Sequence, residues 1–254
     1  MSTLACARPP KGLVDIAAEW DAAADRRHQQ ISSGQDLSFV HVLAPVALEL
    51  LGECDLGSVL DVGCGTGELT RQVAALAGSV TAIDISPKSI QVAKKECASL
   101  PNVAFAVGAI EQLVSTLAAS PHSAVLAAMT LMTTPDLSAA LGAVASVLAN
   151  GGCFVATVVH PCFWPAYWGY HTADWFDYSR EIFIEAPFRI SLDATDRVTT
   201  HVHRPLSAYL NEAARTGLSI EAVREPVPPK AIAHLYPEPW HGPRFVAFRW
   251  RKVG

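Results

Sequence analysis

Residues 58–70 read SVLDVGCGTGELT, and this segment decides the fold. The apolar run SVLDV, bounded by glycines, predicts a short buried strand, and apolar residues at helical spacing predict a helix over residues 68–76. A glycine turn between a strand and a helix lets the backbone approach a ligand closely, with the N–H groups of the helix start directed at it. The segment therefore predicts a strand–turn–helix ligand site around Gly63, Gly65 and Gly67.

The glycine spacing and two acidic residues limit the classes of ligand that this turn could bind. The turn reads G-x-G-x-G, which matches neither the dinucleotide fingerprint G-x-G-x-x-G nor the GK[ST] ending of a P-loop. Asp61, two residues before the first glycine, suits an ammonium group better than a pyrophosphate. Asp84 ends the next predicted strand, where doubly wound folds place the acid that binds ribose hydroxyls. The pair predicts a nucleoside with a cationic, amino-acid-like tail, whereas a tight turn and a helix-capping acid are the plainer alternatives.

Strand and helix patterns alternate after residue 57. We predict further strands at residues 80–83, 103–107, 124–128, 154–159, 190–203, 218–223 and 245–250, and helices at residues 87–98, 137–148 and 205–216. The helix over residues 137–148 is expected to end in a C-cap at residues 150–152. Such alternation predicts a parallel sheet with helices on both faces and a ligand outside the carboxyl ends of the strands.

Composition excludes several classes of protein. The chain has 254 residues, of which 50% are hydrophobic and 17% charged, with a formal net charge of −5. This excludes disorder and disfavours a dedicated nucleic-acid binder. The first twelve residues lack an apolar signal region, no apolar stretch is long enough to cross a membrane, and the six cysteines form no C-x-x-C pair. We therefore expect a cytoplasmic protein without membrane or nucleic-acid partners.

Three segments carry a resemblance to a known family. LDVGCGTGELT at residues 60–70, AIDIS at residues 82–86 and the element order over residues 57–159 resemble the class I S-adenosylmethionine-dependent methyltransferases, and HRPLSAY at residues 203–209 resembles their small-molecule members. The resemblance implies an α/β fold, a three-layer Rossmann-like sandwich around a mostly parallel seven-stranded sheet with an antiparallel last strand, plus an inserted aromatic-rich cap. The expected divisions are an N-terminal helical lid at residues 1–56, a cofactor-binding α/β core at 57–159, an inserted substrate cap at 160–204 and a C-terminal part of the core at 205–254.

The resemblance also implies the cofactor S-adenosyl-L-methionine, with S-adenosyl-L-homocysteine as its product. Asp61 and the glycine loop would meet the methionine moiety, and Asp84 the ribose. The residues expected at the cofactor are Trp20, Asp61, Gly63, Cys64, Gly65, Gly67, Asp84, Ile85, Ala109, Ile110 and Ala128. Family members often carry an aspartate where this chain has Ala109, so adenine is left to backbone groups or to Glu111.

The sequence contains weaker signals for the substrate-binding residues than for the cofactor-binding residues. Histidine suits a general base because its pKa lies near neutrality, and His160 ends the strand at residues 154–159, where Pro161 extends the chain outward. His160 is therefore the catalytic candidate, with a loop-anchoring histidine as the alternative. The aromatic run at residues 163–178 predicts either an apolar pocket floor, the core of the cap, or a dimer surface. The expected substrate-binding residues are Phe163, Trp164, Trp168, Tyr170, His171 and His203.

The sequence thus predicts a methyltransferase of the natural-product tailoring type that acts on oxygen or nitrogen of a small aromatic or heteroaromatic metabolite. The stretch SAVLAAMTLM at residues 123–132 holds no acid, so we expect no metal. The expected partner is a small-molecule substrate, and the chain is expected to be a monomer or homodimer. The alternatives are a relative that keeps the cofactor for cyclisation or elimination, a non-catalytic partner subunit, and an RNA methyltransferase.

Overall fold

A computed structural model of the chain describes residues 5–117 and 121–253. The strands are β1 (Cys6–Arg8), β2 (Ser58–Val62), β3 (Ser79–Asp84), β4 (Val103–Val107), β5 (His122–Ala128), β6 (Leu148–Val159), β7 (Ile182–Arg189), β8 (Ala194–His203), β9 (Leu218–Arg224) and β10 (Phe245–Lys252). The α-helices are α1 (Leu13–Ser32), α2 (Ala44–Leu51), α3 (Glu68–Ala74), α4 (Pro87–Glu96), α5 (Leu113–Thr116), α6 (Leu137–Val147), α7 (Trp164–Tyr167) and α8 (Leu206–Arg215).

Seven strands form the central sheet in the order β4-β3-β2-β5-β6-β10-β9. The pairs from β4 to β6 are parallel, and β10 runs antiparallel to both of its neighbours. The predicted sheet, mostly parallel with an antiparallel last strand, is confirmed.

Helices cover both faces of this sheet because neighbouring residues of each strand point to opposite sides. In β2, Leu60 and Val62 belong to the same buried cluster as α6 and α8. Val59, the residue before Leu60, packs with α2 and α3 on the other face. Strands buried on both faces read as nearly continuous apolar runs, and this is why the sequence marked them clearly.

A second, three-stranded antiparallel sheet has the order β1-β7-β8. Most of the aromatic side chains of residues 163–178 pack against it. No strand was predicted between residues 160 and 189, so β7 was missed. Pro187 lowers the strand signal, because proline cannot donate a ladder hydrogen bond. It is tolerated because β1 pairs only with the first part of β7, up to Glu185 opposite Cys6.

The predicted C-cap at residues 150–152 is wrong. Helix α6 ends at Val147, and β6 begins at once with Leu148, which pairs with His122. Gly151 lies inside β6 with φ +73°, where the pairing with β5 is irregular. Among the described residues no helix is both long and apolar enough to cross a membrane. Residues 1–4, part of the segment predicted to lack a secretory signal, lie outside the described range.

Candidate functional site

A cleft opens at the carboxyl ends of the central strands. It lies where β2 pairs with β3 on one side and β5 on the other, so the strand order reverses there and the connecting helices diverge. One face of α1 closes the cleft. That face consists of Leu13, Ile16, Trp20, Ala24, Arg27 and Ile31. The empty volume is about 1180 Å³.

The glycine turn between β2 and α3 forms the floor of the cleft. Gly63, Gly65 and Gly67 have φ values of +69°, +56° and +93°, which favour glycine. A Cβ on Gly63 would lie 2.2 Å from Thr130 Oγ1, whereas a Cβ on Gly65 would meet nothing within 4 Å. Gly63 is therefore required for packing, and Gly65 leaves the backbone exposed to the cleft.

Two buried carboxylates flank this turn. Asp61 is 1% exposed and accepts a 2.6 Å hydrogen bond from Thr70 Oγ1. Asp84 accepts hydrogen bonds from the backbone N–H groups of Gly65, at 2.9 Å, and Ser86, at 2.8 Å. Burial raises the pKa of Asp61 to about 6 and also raises the pKa of Asp84. No lysine, arginine or histidine of the described residues pairs with either, so a cationic ligand fits the site.

The residues predicted to bind the cofactor line this cleft, with the exception of Gly67. Gly67 instead caps α3 and packs against α4, since a Cβ there would lie 3.0 Å from Ala93. Glu111 also lines the cleft beside Ala109, and its Oε1 is buried without a hydrogen-bond partner. That these residues bind the cofactor stays a prediction.

Hydrogen bonds connect helix α1 to the central sheet region on one side and to the three-stranded sheet on the other. Asp21 accepts hydrogen bonds from Ser86 Oγ and from the backbone N–H of Lys88, at the start of α4. Two residues earlier, Glu19 accepts hydrogen bonds from the backbone N–H and the hydroxyl of Thr200 on β8, at 2.7 and 2.9 Å. The helix therefore spans from the central sheet to the three-stranded sheet.

A second cavity adjoins the first, with about 970 Å³ of empty space when the open solvent at its mouth is included. The two share the wall residues Trp20, Arg27, Leu43, Met129 and Thr133. The other walls come from the ends of β6 and β10, from the region of α7, and from β7 and β8. A molecule in the second cavity would lie next to a ligand in the first.

Met129 lies where the two cavities meet and has φ +58°, a conformation that is costly for a residue with a Cβ. It is held there by its backbone N–H, which lies 2.9 Å from Thr157 O and 3.1 Å from Thr157 Oγ1. Such strain clusters at functional sites. Nothing in the local sequence indicates this strain, because the strain depends on the partner strand.

Only part of the predicted substrate set reaches the second cavity. Trp164 and Trp168 line it. Tyr170 is buried in the core of the three-stranded sheet, and His203 lies 3.1 Å from the carbonyl oxygen of Tyr178. Phe163 and His171 are exposed and line neither cavity. The predictions for Phe163, Tyr170, His171 and His203 are therefore not supported by their positions.

His160 lines neither cavity, so its position does not support the predicted role at the substrate. It is 2% exposed, its Nδ1 accepts a hydrogen bond from the N–H of Cys162, and its Nε2 lies 2.7 Å from Glu225. Both ring nitrogens are thus engaged. A strand-end position fixes where the backbone lies but not the direction of the side chain, and here the loop-anchoring alternative describes the geometry.

Sequence reasoning missed the arginines of the second cavity. Arg27, Arg189 and Arg244 line it, together with Tyr167 and Phe188. His201 lines it too, but burial lowers the pKa of its imidazole to about 3, so it is neutral near pH 7. The positive charge of Arg189 and Arg244 comes from residues 55 positions apart that meet only in the fold.

Comparison with known proteins adds to this geometry. Residues 59–152 match the family model of a methyltransferase domain. The chain is similar to a demethylmenaquinone methyltransferase of Tropheryma whipplei, with 39% identity over 83 residues, which is 33% of each chain. It is equally similar to a ubiquinone biosynthesis O-methyltransferase of Xanthomonas euvesicatoria, with 39% identity over 80 residues, which is 30% of this chain and 34% of that one. The match thus spans about a third of these curated relatives.

Solved structures extend the likeness over the whole fold. One of them is a Burkholderia thailandensis 1,6-didemethyltoxoflavin-N1-methyltransferase with bound 1,6-didemethyltoxoflavin and S-adenosylhomocysteine. The TM-score is 0.63 at 15% identity, covering 98% of this chain and 94% of that one. At this identity the likeness shows the fold alone.

Proposed function

We propose that this chain, whose residues 59–152 match a methyltransferase domain, is a class I S-adenosylmethionine-dependent methyltransferase that transfers a methyl group to oxygen or nitrogen of a small planar metabolite. The first cleft would hold S-adenosylmethionine and the second cavity the acceptor. The observation that carries the proposal is the buried pair Asp61 and Asp84, two carboxylates without a cation at a glycine turn. A nucleoside with an ammonium-bearing tail supplies the missing charge.

Each side chain has a proposed task. Asp61 would receive the ammonium group, Asp84 the ribose hydroxyls, and Glu111 the adenine amino group. Trp20 and its neighbours on α1 would exclude water from the cleft. When bound, the cofactor supplies a sulfonium methyl group, whose carbon–sulfur bond breaks as the acceptor's lone pair forms the new bond and leaves a neutral thioether.

The protein would contribute mainly orientation. Holding two reactants in line is worth about 7–11 kcal/mol when the geometry is right. Neither His160, outside the cavities, nor His201, with its lowered pKa, fits a general base. We therefore propose an acceptor that attacks as a neutral amine or as an anion already formed in the cavity. A cytoplasmic location and the absence of nucleic-acid partners remain predictions.

Calorimetric titration with S-adenosylmethionine and S-adenosylhomocysteine tests the cofactor, and release of S-adenosylhomocysteine on adding planar amines and phenols tests transfer. Asp84→Ala should weaken both titrations at least tenfold, about the worth of a charge-assisted hydrogen bond. The matched control is Asp55→Ala, since Asp55 is an exposed acid that also accepts a backbone hydrogen bond, from Gly57. Wild-type protein that is folded yet binds neither compound would overturn the proposal. Binding without release of product would favour a relative that keeps the cofactor for other chemistry.

A further inference from the structure

We propose that the second cavity binds an acceptor carrying an anionic group, a carboxylate or a phosphate, on an aromatic or other planar ring, and that Arg189 and Arg244 hold this anion. The inference rests on the proposed methyltransferase function, because it names the substrate class of the same site. It goes beyond that function because it names the charge of the acceptor and the residues that bind the charged group.

The first argument is the charge of the cavity wall. Three arginines and one aspartate line the cavity. Arg27 is paired with that aspartate, since its Nη1 lies 2.6 Å from Asp36 Oδ2. Neither Arg189 nor Arg244 forms an ion pair with any residue in the described ranges. Two positive charges are thus left without a carboxylate, in a chain whose formal net charge is −5.

The second argument is that both arginines lie beside the same aromatic ring. The guanidinium carbon of Arg244 lies 3.6 Å from the ring centroid of Tyr167, and that of Arg189 lies 5.3 Å from the same centroid. Burial lowers the pKa of Arg244, and the charge of Arg189 acts in the same direction. The two cations beside this ring repel each other, and an anion near both would relieve that repulsion. Guanidinium groups match carboxylate and phosphate oxygens in a two-pronged geometry.

The third argument is a set of unused donors. Arg189 Nε, Trp164 Nε1 and Trp168 Nε1 are buried and have no hydrogen-bond partner in the described structure. Buried donors are nearly always paired, so each such group needs an explanation. All three belong to residues of this cavity, and all three are N–H groups that can only donate. A ligand rich in acceptor oxygens would satisfy them.

The fourth argument concerns the orientation of the ligand. Arg189 and Arg244 line the second cavity but not the first, whereas Met129 lines both. The anion would therefore lie away from the junction, with the planar body between it and Met129. Part of the cavity wall is aromatic, including Trp168, Phe188 and Phe245, and can pack against a planar body. The anion would anchor the acceptor, and a different atom at the other end would receive the methyl group.

The opposite charges of the two spaces agree with this assignment. Within the described chain, Asp61 and Asp84 of the first cleft have no cationic partner, and Arg189 and Arg244 of the second cavity have no carboxylate partner. Arg244 Nη2 donates hydrogen bonds to the backbone carbonyl oxygens of Glu238 and Pro239. A cationic cofactor is thus favoured in the first cleft and disfavoured in the second, and an anionic acceptor has the reverse preference. Each ligand would be directed to its own space.

The test compares matched acids and amides on protein saturated with S-adenosylhomocysteine. The probes are 4-hydroxybenzoate against 4-hydroxybenzamide, indole-2-carboxylate against its amide, and phenyl phosphate. Binding is followed by tryptophan fluorescence, because Trp164 and Trp168 line the cavity, and by calorimetry. We expect at least one acid to bind tenfold or more tightly than its neutral partner. A tighter phenyl phosphate would assign the anion as phosphate, and a tighter carboxylate would assign it as carboxylate.

Substitutions then connect the preference to the residues. Arg189→Gln and Arg244→Gln should each reduce acid affinity about tenfold or more and leave amide affinity unchanged, and Arg189→Lys should retain part of the preference. The matched control is Arg197→Gln, because Arg197 lies exposed on the neighbouring strand β8. Unchanged binding of S-adenosylhomocysteine shows that each variant is folded.

The outcomes separate the two proposals. Acids that bind no more tightly than their amides, or a preference that survives both glutamine substitutions, would overturn the anionic acceptor while leaving the cofactor site intact. Wild-type protein that does not bind S-adenosylhomocysteine would instead overturn the proposed function. In that case the acid and amide titrations, repeated without it, still measure the charge preference of the cavity.

Discussion

The hydroxyl of Thr70 lies 2.6 Å from a carboxylate oxygen of Asp61, and both side chains are buried at the end of β2. One hydrogen bond does not compensate a buried negative charge, and for this reason burial raises the pKa of Asp61 to about 6. The carboxylate therefore costs stability in the ligand-free protein and becomes favourable when a cation binds.

Asp61→Asn should raise the stability of the ligand-free protein and weaken cofactor binding. The pKa of Asp61 is raised above its ordinary 3.8, so the folded state holds the proton more tightly and ionisation opposes folding at neutral pH. Removing the charge should raise the free energy of unfolding by about 1–3 kcal/mol at pH 7. Denaturant unfolding and calorimetry measure the two effects. A variant less stable than wild type without ligand would contradict this account.

Cofactor affinity should fall as the pH drops below 6. The protonated form of Asp61 cannot attract an ammonium group, so the dissociation constant should rise up to about tenfold per pH unit below its pKa. Asp84, whose pKa burial also raises, acts in the same direction. Titrations of S-adenosylhomocysteine from pH 7.5 to 5 measure the slope, with circular dichroism as the check on folding. The Asp61→Asn variant should show a shallower slope, and equal slopes would exclude Asp61 as the titrating group.

Glu111 should bind the adenine amino group, in place of the aspartate that family members often carry at the position of Ala109. Its Oε1 is buried without a partner, and burial raises the pKa of the carboxyl group. Glu111→Ala should weaken binding of S-adenosylhomocysteine roughly tenfold but hardly change binding of S-inosylhomocysteine, which has no amino group at that position. Equal losses for both nucleosides would mean that Glu111 acts only through packing.

His160→Ala should reduce stability without altering the pH dependence of turnover. The change removes a buried ring whose nitrogens contact Glu225 and the N–H of Cys162, a loss of about 1–3 kcal/mol. Thermal unfolding and a pH–rate profile separate the two roles. Glu225→Gln is the matched control, because it weakens the same contact from the exposed side. Loss of one limb of the profile in the histidine variant would restore His160 as a base.

The sequence predicted site residues that lie close together along the chain and missed those that meet only in the folded protein. Asp61, Gly63 and Asp84 lie within one strand–turn–helix–strand segment, so their spacing alone predicts a shared cleft. Arg189 ends β7 and Arg244 directly precedes β10, and nothing in their local sequence indicates that they meet. β7 was missed for a related reason. Pro187 is compatible with this strand because β1, its partner on one side, has already ended at that point.

The pairing of β1 with β7 has a consequence for how the chain folds. Cys6 lies opposite Glu185, so the first strand of the three-stranded sheet must wait for residues nearly 180 positions later. Contacts so distant along the chain form slowly, while the core sheet closes through much shorter crossovers. The β1 edge of the three-stranded sheet would then be completed last during folding, after the cleft of the core already has its shape.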